Sequence, residues 1–332
     1  ALGKRRGRPR QYGNAMVEAL RTVWEKSDRL CSKRLHPFLP EFIRVLRRCE
    51  ESKITAEIEE RLCCMSPATI DRLLRPWKLK GGRRSFSTTR PGSLLRSLIP
   101  IRTFTDWQEN RPGFIEVDLV AHCGESTDGF YLNTLMAVDV ATGWSEFIGV
   151  WGKGQQRVET GIHHIRERLP FPLLGLDSDN GSEFINQDLA RWCHHEGITF
   201  TRSRPYKKND NCFVEQKNGN IVRRIIGRDR YSSQLAYETL NRIYYLLRLY
   251  VNFFQPAMKL VSKTRHGAKV HRIYDIAQTP YQRVLKSGVT SEASKAQIGS
   301  VYATLNPVSL LKQINANVEN LWQIRDRHPG EK

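Results

Sequence analysis

Acidic residues are scarce in this chain: 34 Asp and Glu stand against 53 Lys and Arg over 332 residues, a formal charge of +19. The imbalance points to a nucleic-acid partner, because phosphates neutralised by Lys and Arg release their condensed counterions. No basic amphipathic helix of the membrane-surface kind stands out, so a membrane partner is set aside. Long apolar runs are missing too, which excludes a bilayer-spanning helix. The opening residues, "ALGKRR", carry charge but no apolar segment, and a secretory leader is not expected. Of seven cysteines, Cys63 and Cys64 are adjacent, and no CxxC or Cys/His ligand spacing occurs. That argues against a disulfide framework and against a zinc finger, and suits a reducing interior. No internal repeat is present. What remains is an ordinary globular composition, 39% hydrophobic and 26% charged, at a length that suits two or three domains.

Local pattern divides the chain. The first ten residues, "ALGKRRGRPR", are basic and nearly free of apolar side chains, so they cannot join a core. Within them Arg6-Gly-Arg8-Pro is similar to an AT-hook, which would put Arg6, Arg8 and Arg10 into a narrow A·T-rich minor groove. From Tyr12 to Trp77 the period is helical, with apolar residues at Val17, Leu20, Val23 and Trp24 and again at Phe38, Phe42, Val45 and Leu46. "ITAEIEERLCCMSPATIDRLLRPW" predicts helix, turn, helix: Ser66 as N-cap, Pro67 at the first helical position, and Ile70, Leu73 and Leu74 as the buried stripe. In a helix-turn-helix, Thr69, Asp71, Arg72 and Arg75 would face the DNA. The stretch Leu79–Ser97 has a linker's glycine, serine and arginine, and Arg83 and Arg84 would track a phosphate backbone.

Beyond the linker the character changes. "GFIEVDLVAHC", "GFYLNTLMAVDVAT" and "WSEFIGVWG" predict three strands of a meander. A helix ("GQQRVETGIHHIRERL"), a buried strand ("FPLLGLDSD"), a second helix ("NQDLARWCHHEG") and a last strand ("ITFTRS") then alternate. The sum is an α/β core, a mixed five-stranded sheet flanked by helices. A long helix over Ser232–Gln255 follows, closed by Pro256, and the rest is helical in patches.

Against the basic background, "GLDSDNGSEF" gathers three carboxylates, Asp177, Asp179 and Glu183, around a tight Asn-Gly turn. Asp179 lies at the end of the buried strand, Asp118 on the first strand, and Glu215 in an apparent helix within "DNCFVEQKNGNIVRRIIG". Strand ends of an α/β sheet are where ligands collect, so the three acids can meet at one edge. Ionised carboxylates a few ångströms apart repel unless a cation joins them, and oxygen-only ligands select hard cations. Two such ions about 4 Å apart activate an attacking oxygen and stabilise a leaving one.

"FIEVDLV", "AVDVATG", "LDSDNGSEF" and "RPYKKNDNCFVEQKN" resemble, in that order, the catalytic core of retroviral integrases and of DDE insertion-sequence transposases. Thirty-five residues separate Asp179 from Glu215, the spacing of the family's D,D(35)E pattern. The resemblance runs from about Pro112 to Gly227, with an echo in "NFFQPAMK" and "TPYQRV". It implies a ribonuclease-H-like fold, two Mg²⁺ or Mn²⁺ ions held by Asp118, Asp179 and Glu215, hydrolytic exposure of a 3′-hydroxyl at a mobile element's end, and its transfer into target DNA. The retroviral His/Cys zinc domain is absent ahead of the core, and the family's small β-barrel after it is not evident. On this reading residues 1–11 are a basic arm, 12–78 a helical DNA-binding region with its helix-turn-helix at about 54–76, and 79–111 a basic linker. The integrase-type core takes 112–256 and a helical C-terminal region 257–332.

Lys207, Lys208, Asn218, Arg223 and Arg224 surround the expected catalytic helix and are candidates for phosphate contacts. Glu116 and Asp177 share sides with Asp118 and Asp179 by strand alternation; they are read as partially exposed acids paired with arginines in preference to a place behind the site. Glu183 is assigned to the turn, Asp139 to structure, and His122 with Cys193, His194 and His195 to packing. The partners expected are double-stranded DNA, both element ends and target, and further copies of the chain, a homodimer or higher form when two ends are held together. A cytoplasmic, nucleoid-associated place in a bacterium fits. Two rivals remain: a DNA-binding regulator that has lost catalysis, and a structure-specific nuclease of the same fold that cuts without joining.

Overall fold

A computed structural model describes residues 12–78, 111–179, 181–203, 214 and 217–326. These divide into two compact units.

The first unit holds four helices, α1 (Asn14–Lys26), α2 (Ser32–Arg48), α3 (Ala56–Cys63) and α4 (Pro67–Leu74). Their buried stripes are those of the periodicity: Leu20, Val23 and Trp24 on α1 and Phe38, Phe42, Val45 and Leu46 on α2, with Met16 buried where Val17 was expected. Helices α3 and α4 both pack on α2. The Thr55 side chain caps α3 through Ile58 N–H, and that of Ser66 caps α4 through Thr69 N–H at 3.2 Å. Pro67 opens α4, and Ile70 and Leu74 are buried while Leu73 is half-buried. The same unit contains residues 256–278, whose β-hairpin the helical reading of the C-terminal region did not include.

The second unit is built on a five-stranded sheet: β1 (Phe114–Ala121), β2 (Leu132–Asp139), β3 (Ser145–Trp151), β4 (Gly175–Ser178) and β5 (Thr199–Arg202). Its order is β3-β2-β1-β4-β5, the meander antiparallel and β4 and β5 parallel to β1. With helices on its faces this is the ribonuclease-H-like arrangement. Helix α5 (Gln155–Arg168) packs on β2 and β3, and α6 (Gln187–His195), capped by Asn186, on β5. One face of the sheet offers Ile115, Val117, Leu135, Ala137, Ile148 and Val150 to Val158, Ile162 and Ile165 of α5 in a continuous core. A π-helical turn, Asn218–Val222, runs into the short α7 (Arg223–Ile225). The long α8 (Gln234–Phe254) lies against β3; its Tyr244 stacks on Phe147 at 5.8 Å and shares a hydrogen bond with Thr134 of β2. Beyond it, α9 (Pro280–Lys286) and α10 (Glu292–Thr304) dock on its end through Phe253, Tyr281 and Tyr302, followed by α11 (Pro307–Gln323).

Edge strand β3 is closed by α8. Asn252 accepts from Ser145 N–H at 2.8 Å and donates to Ser145 C=O at 2.8 Å. Asn241 accepts from Gly149 N–H at 2.9 Å and donates back to its C=O at 3.4 Å. Two amides on one helix thus act as a discontinuous sixth strand, satisfying groups that would otherwise invite edge pairing. Residue 149 must be glycine for this approach, since a Cβ there would lie 2.9 Å from the Asn241 amide nitrogen.

Candidate active site

The side of the sheet opposite the α5 core carries the acids. Ile115 and Val117 of β1 enter that core, so alternation turns Glu116 and Asp118 to the other face. In the parallel pairing of β1 and β4, Glu116 stands opposite Asp177 and Val117 opposite Ser178. Continued one residue past its last pair, Val117–Ser178, that register would set Asp118 opposite Asp179, which follows the end of β4. Both are half-buried.

Their surroundings differ. Asp118 accepts from Leu119 N–H at 2.8 Å through Oδ1 and from the Asn218 amide at 2.6 Å through Oδ2. Asp179 accepts from Gly181 N–H at 2.8 Å. Burial pushes the Asp179 carboxyl up to about 6; the Glu183 carboxylate adds to this, while the Gly181 N–H and the Lys153 ammonium oppose it. A Cβ on Gly181 would sit 2.7 Å from Glu183 Oε2 and 2.9 Å from Asp179 Oδ1, so these two carboxylates close around the glycine.

Behind this pair stand the two acids expected to be partly exposed, and the structure corrects that expectation. Glu116 is completely buried and accepts from Val214 N–H at 2.9 Å; Asp177 is 1% exposed and accepts from the Thr201 hydroxyl. The reason is their place on the two central strands, where neighbouring elements cover what an edge strand would leave to water. Asp139 is structural as expected: it takes Gly113 N–H at 2.8 Å and Thr142 N–H at 2.7 Å and fixes the β2–β3 turn beside the start of β1.

The third acid expected at the site, Glu215, lies outside the described residues, as do Lys207 and Lys208. Residues on both sides of it in sequence are engaged with β1: the Val214 amide with Glu116, the Asn218 side chain with Asp118. Asn218 is 8% exposed, so it sits beneath the surface against a carboxylate. Arg223 is half-buried, and burial lowers its guanidinium from the ordinary value, with Asp118 and Tyr244 among its electrostatic neighbours. Arg224 is exposed. On α4, Arg72 and Arg75 are exposed and Thr69 is half-buried against the Ser66 cap. Arg6, Arg8, Arg10, Arg83 and Arg84 lie outside the described residues. Sequence reasoning missed Glu183 and Lys153 as companions of Asp179. Lys153 follows β3 in "WGKG", and only the sheet topology brings that loop to the end of β4.

Among the described residues no three His, Cys, Asp or Glu side chains assemble into a metal-binding cluster. Asp118 and Asp179 supply the hard oxygen donors that Mg²⁺ or Mn²⁺ prefers, and a carboxyl whose ionisation is disfavoured by burial gains most from a cation beside it. The residues present fit such an ion.

His122, four residues past Asp118, is fully buried, bonded through Nε2 to Thr134 Oγ1 at 2.6 Å and in edge contact with Tyr231. Burial, reinforced by Arg223, drives its imidazole down to about 3. An unfolded chain protonates this histidine below about 6.5 and the folded chain does not, so stability present above that pH is lost as pH falls toward 3. At pH 4.5 the loss comes to about 2–3 kcal/mol. Urea unfolding at pH 7 and 4.5 is expected to show the His122→Gln variant losing that much less than the parent chain; equal losses would remove His122 from the acid limb.

Residues 108–208 match the family described as the Integrase core domain. The chain is 43% identical over 275 residues to the uncharacterized protein y4rM of Sinorhizobium fredii, covering 82% of this chain and 78% of that protein. It is 30% identical over 91 residues to the Pro-Pol polyprotein of Feline foamy virus, a match that spans 27% of this chain and 8% of the polyprotein. Among solved structures, the catalytic core domain of BIV integrase is 21% identical with a TM-score of 0.34, over 52% of this chain and 94% of that one. The HTLV-2 integrase catalytic core domain in complex with magnesium, in a trimeric form, is 18% identical with a TM-score of 0.29, over 36% and 72%. No helix among the described residues is long and apolar enough to cross a membrane.

Proposed function

The chain belongs to the integrase/transposase-like family, and on that premise we propose that it is the DDE-type recombinase of a mobile DNA element. It binds the element's ends, exposes a 3′-hydroxyl by hydrolysis and joins it to target DNA. The observation that carries this reading is the parallel register of β1 and β4, with Glu116 opposite Asp177, which continued by two residues along the same face would bring Asp118 to Asp179. The hydrogen bonds of Val214 and Asn218 to Glu116 and Asp118 favour Glu215, one residue after Val214, as the third acid.

Two Mg²⁺ or Mn²⁺ ions held by Asp118, Asp179 and Glu215 would activate the attacking oxygen and stabilise the leaving one. The chain's own part is to hold its carboxylates ready. Asn218 fixes the rotamer of Asp118, and Gly181 N–H holds Asp179. Lys153 offsets the negative charge of Asp179 and Glu183 until phosphate arrives. Arg224, with Lys207 and Lys208, then meets the DNA backbone, and Arg72 and Arg75 of the helix-turn-helix read the element end. Arg6, Arg8 and Arg10 enter the minor groove, and Arg83 and Arg84 follow the backbone between the two. Joining needs two ends in one complex, so the working form is a dimer or higher, in a cytoplasm where DNA is at hand.

The test is an incubation of the full chain with Mg²⁺, supercoiled plasmid and a duplex carrying the element's terminal repeat. Joined product that requires Mg²⁺ supports the recombinase. Cleavage without joining turns the reading to a nuclease, and binding without chemistry to a regulator.

A further inference from the structure

Between α8 and α9 the chain forms a hairpin, β6 (Leu260–His266) and β7 (Lys269–Tyr274), turning at Gly267. It is a two-stranded sheet of its own, with cross-strand pairs running from Leu260–Tyr274 to His266–Lys269. Its root is tied: Lys259 N–H donates to the Asp275 carboxylate, Asp275 N–H to Lys259 C=O at 2.9 Å, and Ala257 pairs with Gln278. Past the root, most of the hairpin's described residues are exposed on both faces. Thr264, Arg265, His266, Lys269, His271, Arg272, Ile273 and Tyr274 are all exposed. An isolated two-stranded ribbon is marginally stable in water, so one that projects without burying a face calls for a partner.

Charge names the partner's chemistry. From Lys259 to Arg272 the sequence holds five Lys and Arg, two His and no Asp or Glu. Arg265 and Lys269 stand in the two pairs nearest the tip and Arg272 three residues further along β7, while the exposed apolar residues Leu260, Val261, Ile273 and Tyr274 lie toward the root. A seven-residue strand reaches about 23 Å, and a two-stranded ribbon fits the major groove of B-DNA, about 12 Å wide. The hairpin also belongs to the same compact unit as the helix-turn-helix. We propose that the hairpin Leu260–Tyr274 is a duplex-DNA-binding ribbon that takes phosphates through Arg265, Lys269 and Arg272. This deepens the reading of DNA as the substrate and rests on it.

The test is the salt dependence of binding by the full chain, in EDTA so that no chemistry intervenes, to a labelled duplex of about 30 base pairs. The variant Arg265→Gln/Lys269→Gln/Arg272→Gln is set against Arg191→Gln/Arg242→Gln/Lys312→Gln, which removes the same charge from exposed helical positions. Each lost phosphate contact lowers the slope of log K against log salt by about 0.9, so the hairpin variant is expected to drop it by about 2–3. It should also bind at least about tenfold more weakly near 100 mM salt, with the control and both unfolding midpoints unchanged. Equal slopes for hairpin variant, control and parent overturn the proposal and leave the charges as protection of an exposed strand edge. A parent chain that binds no duplex overturns the substrate reading itself. A Val261→Ser/Ile273→Ser variant that changes oligomeric state, beside a hairpin variant with an unchanged DNA slope, makes the ribbon a protein dock.

Discussion

Asp179→Asn is expected to reduce DNA joining by about a thousandfold or more while leaving duplex binding within about twofold. The substitution keeps the side chain's volume and an oxygen to accept from Gly181 N–H, so the fold around the end of β4 has little reason to move. What it removes is the negative charge that holds a hard cation beside Asp118. Asp118→Asn and Glu215→Gln should act alike, and pairs of these substitutions should cost little more than one, because groups that share an ion fail as a unit. Joining assays with each single and double variant check this. Activity within about tenfold of the parent chain would show that Asp179 is a bystander.

Arg248→Met carries the largest expected loss of stability. Glu146 on edge strand β3 is completely buried; Arg248 of α8 meets it with two hydrogen bonds, at 2.6 and 2.8 Å, and the Trp144 indole donates a third at 2.8 Å. Methionine matches the length of the arginine stem but leaves a buried carboxylate with one neutral donor, at a cost of about 3–5 kcal/mol. The double variant Arg248→Met/Glu146→Leu should recover most of that, since apolar replacement of a whole buried pair is often close to neutral. Urea unfolding of the three chains decides it. A single variant within about 1 kcal/mol of the parent would mean that water reaches Glu146.

How much of this was legible in the sequence depended on whether a feature was periodic or tertiary. The meander, the β4–β5 crossover and the consecutive helices α3 and α4 announced themselves, because a period of two or 3.6 and a cap such as Ser66-Pro67 are written in adjacent residues. That Asp118 lies on β1 and Asp179 just past the end of β4 followed from alternation and the turn residues. The depth of Glu116 and Asp177 did not, since alternation tells which face a side chain takes and not what covers that face. Asn241 and Asn252 could not be read as edge caps, because their partners on β3 lie 92 and 107 residues away. The hairpin Leu260–Tyr274 escaped for a different reason: with no face buried, selection has imposed no apolar alternation on it, and periodicity has nothing to report. Glu183 reads as a turn residue in any sequence, and only the close approach around Gly181 joins it to Asp179.

The most direct measurement is Mn²⁺ binding to the full chain in the presence of an element-end duplex, followed by electron paramagnetic resonance. The account predicts two bound ions per active site, with affinity lost in Asp118→Asn, Asp179→Asn and Glu215→Gln. Binding that survives all three substitutions, or no binding by the parent chain, would contradict it.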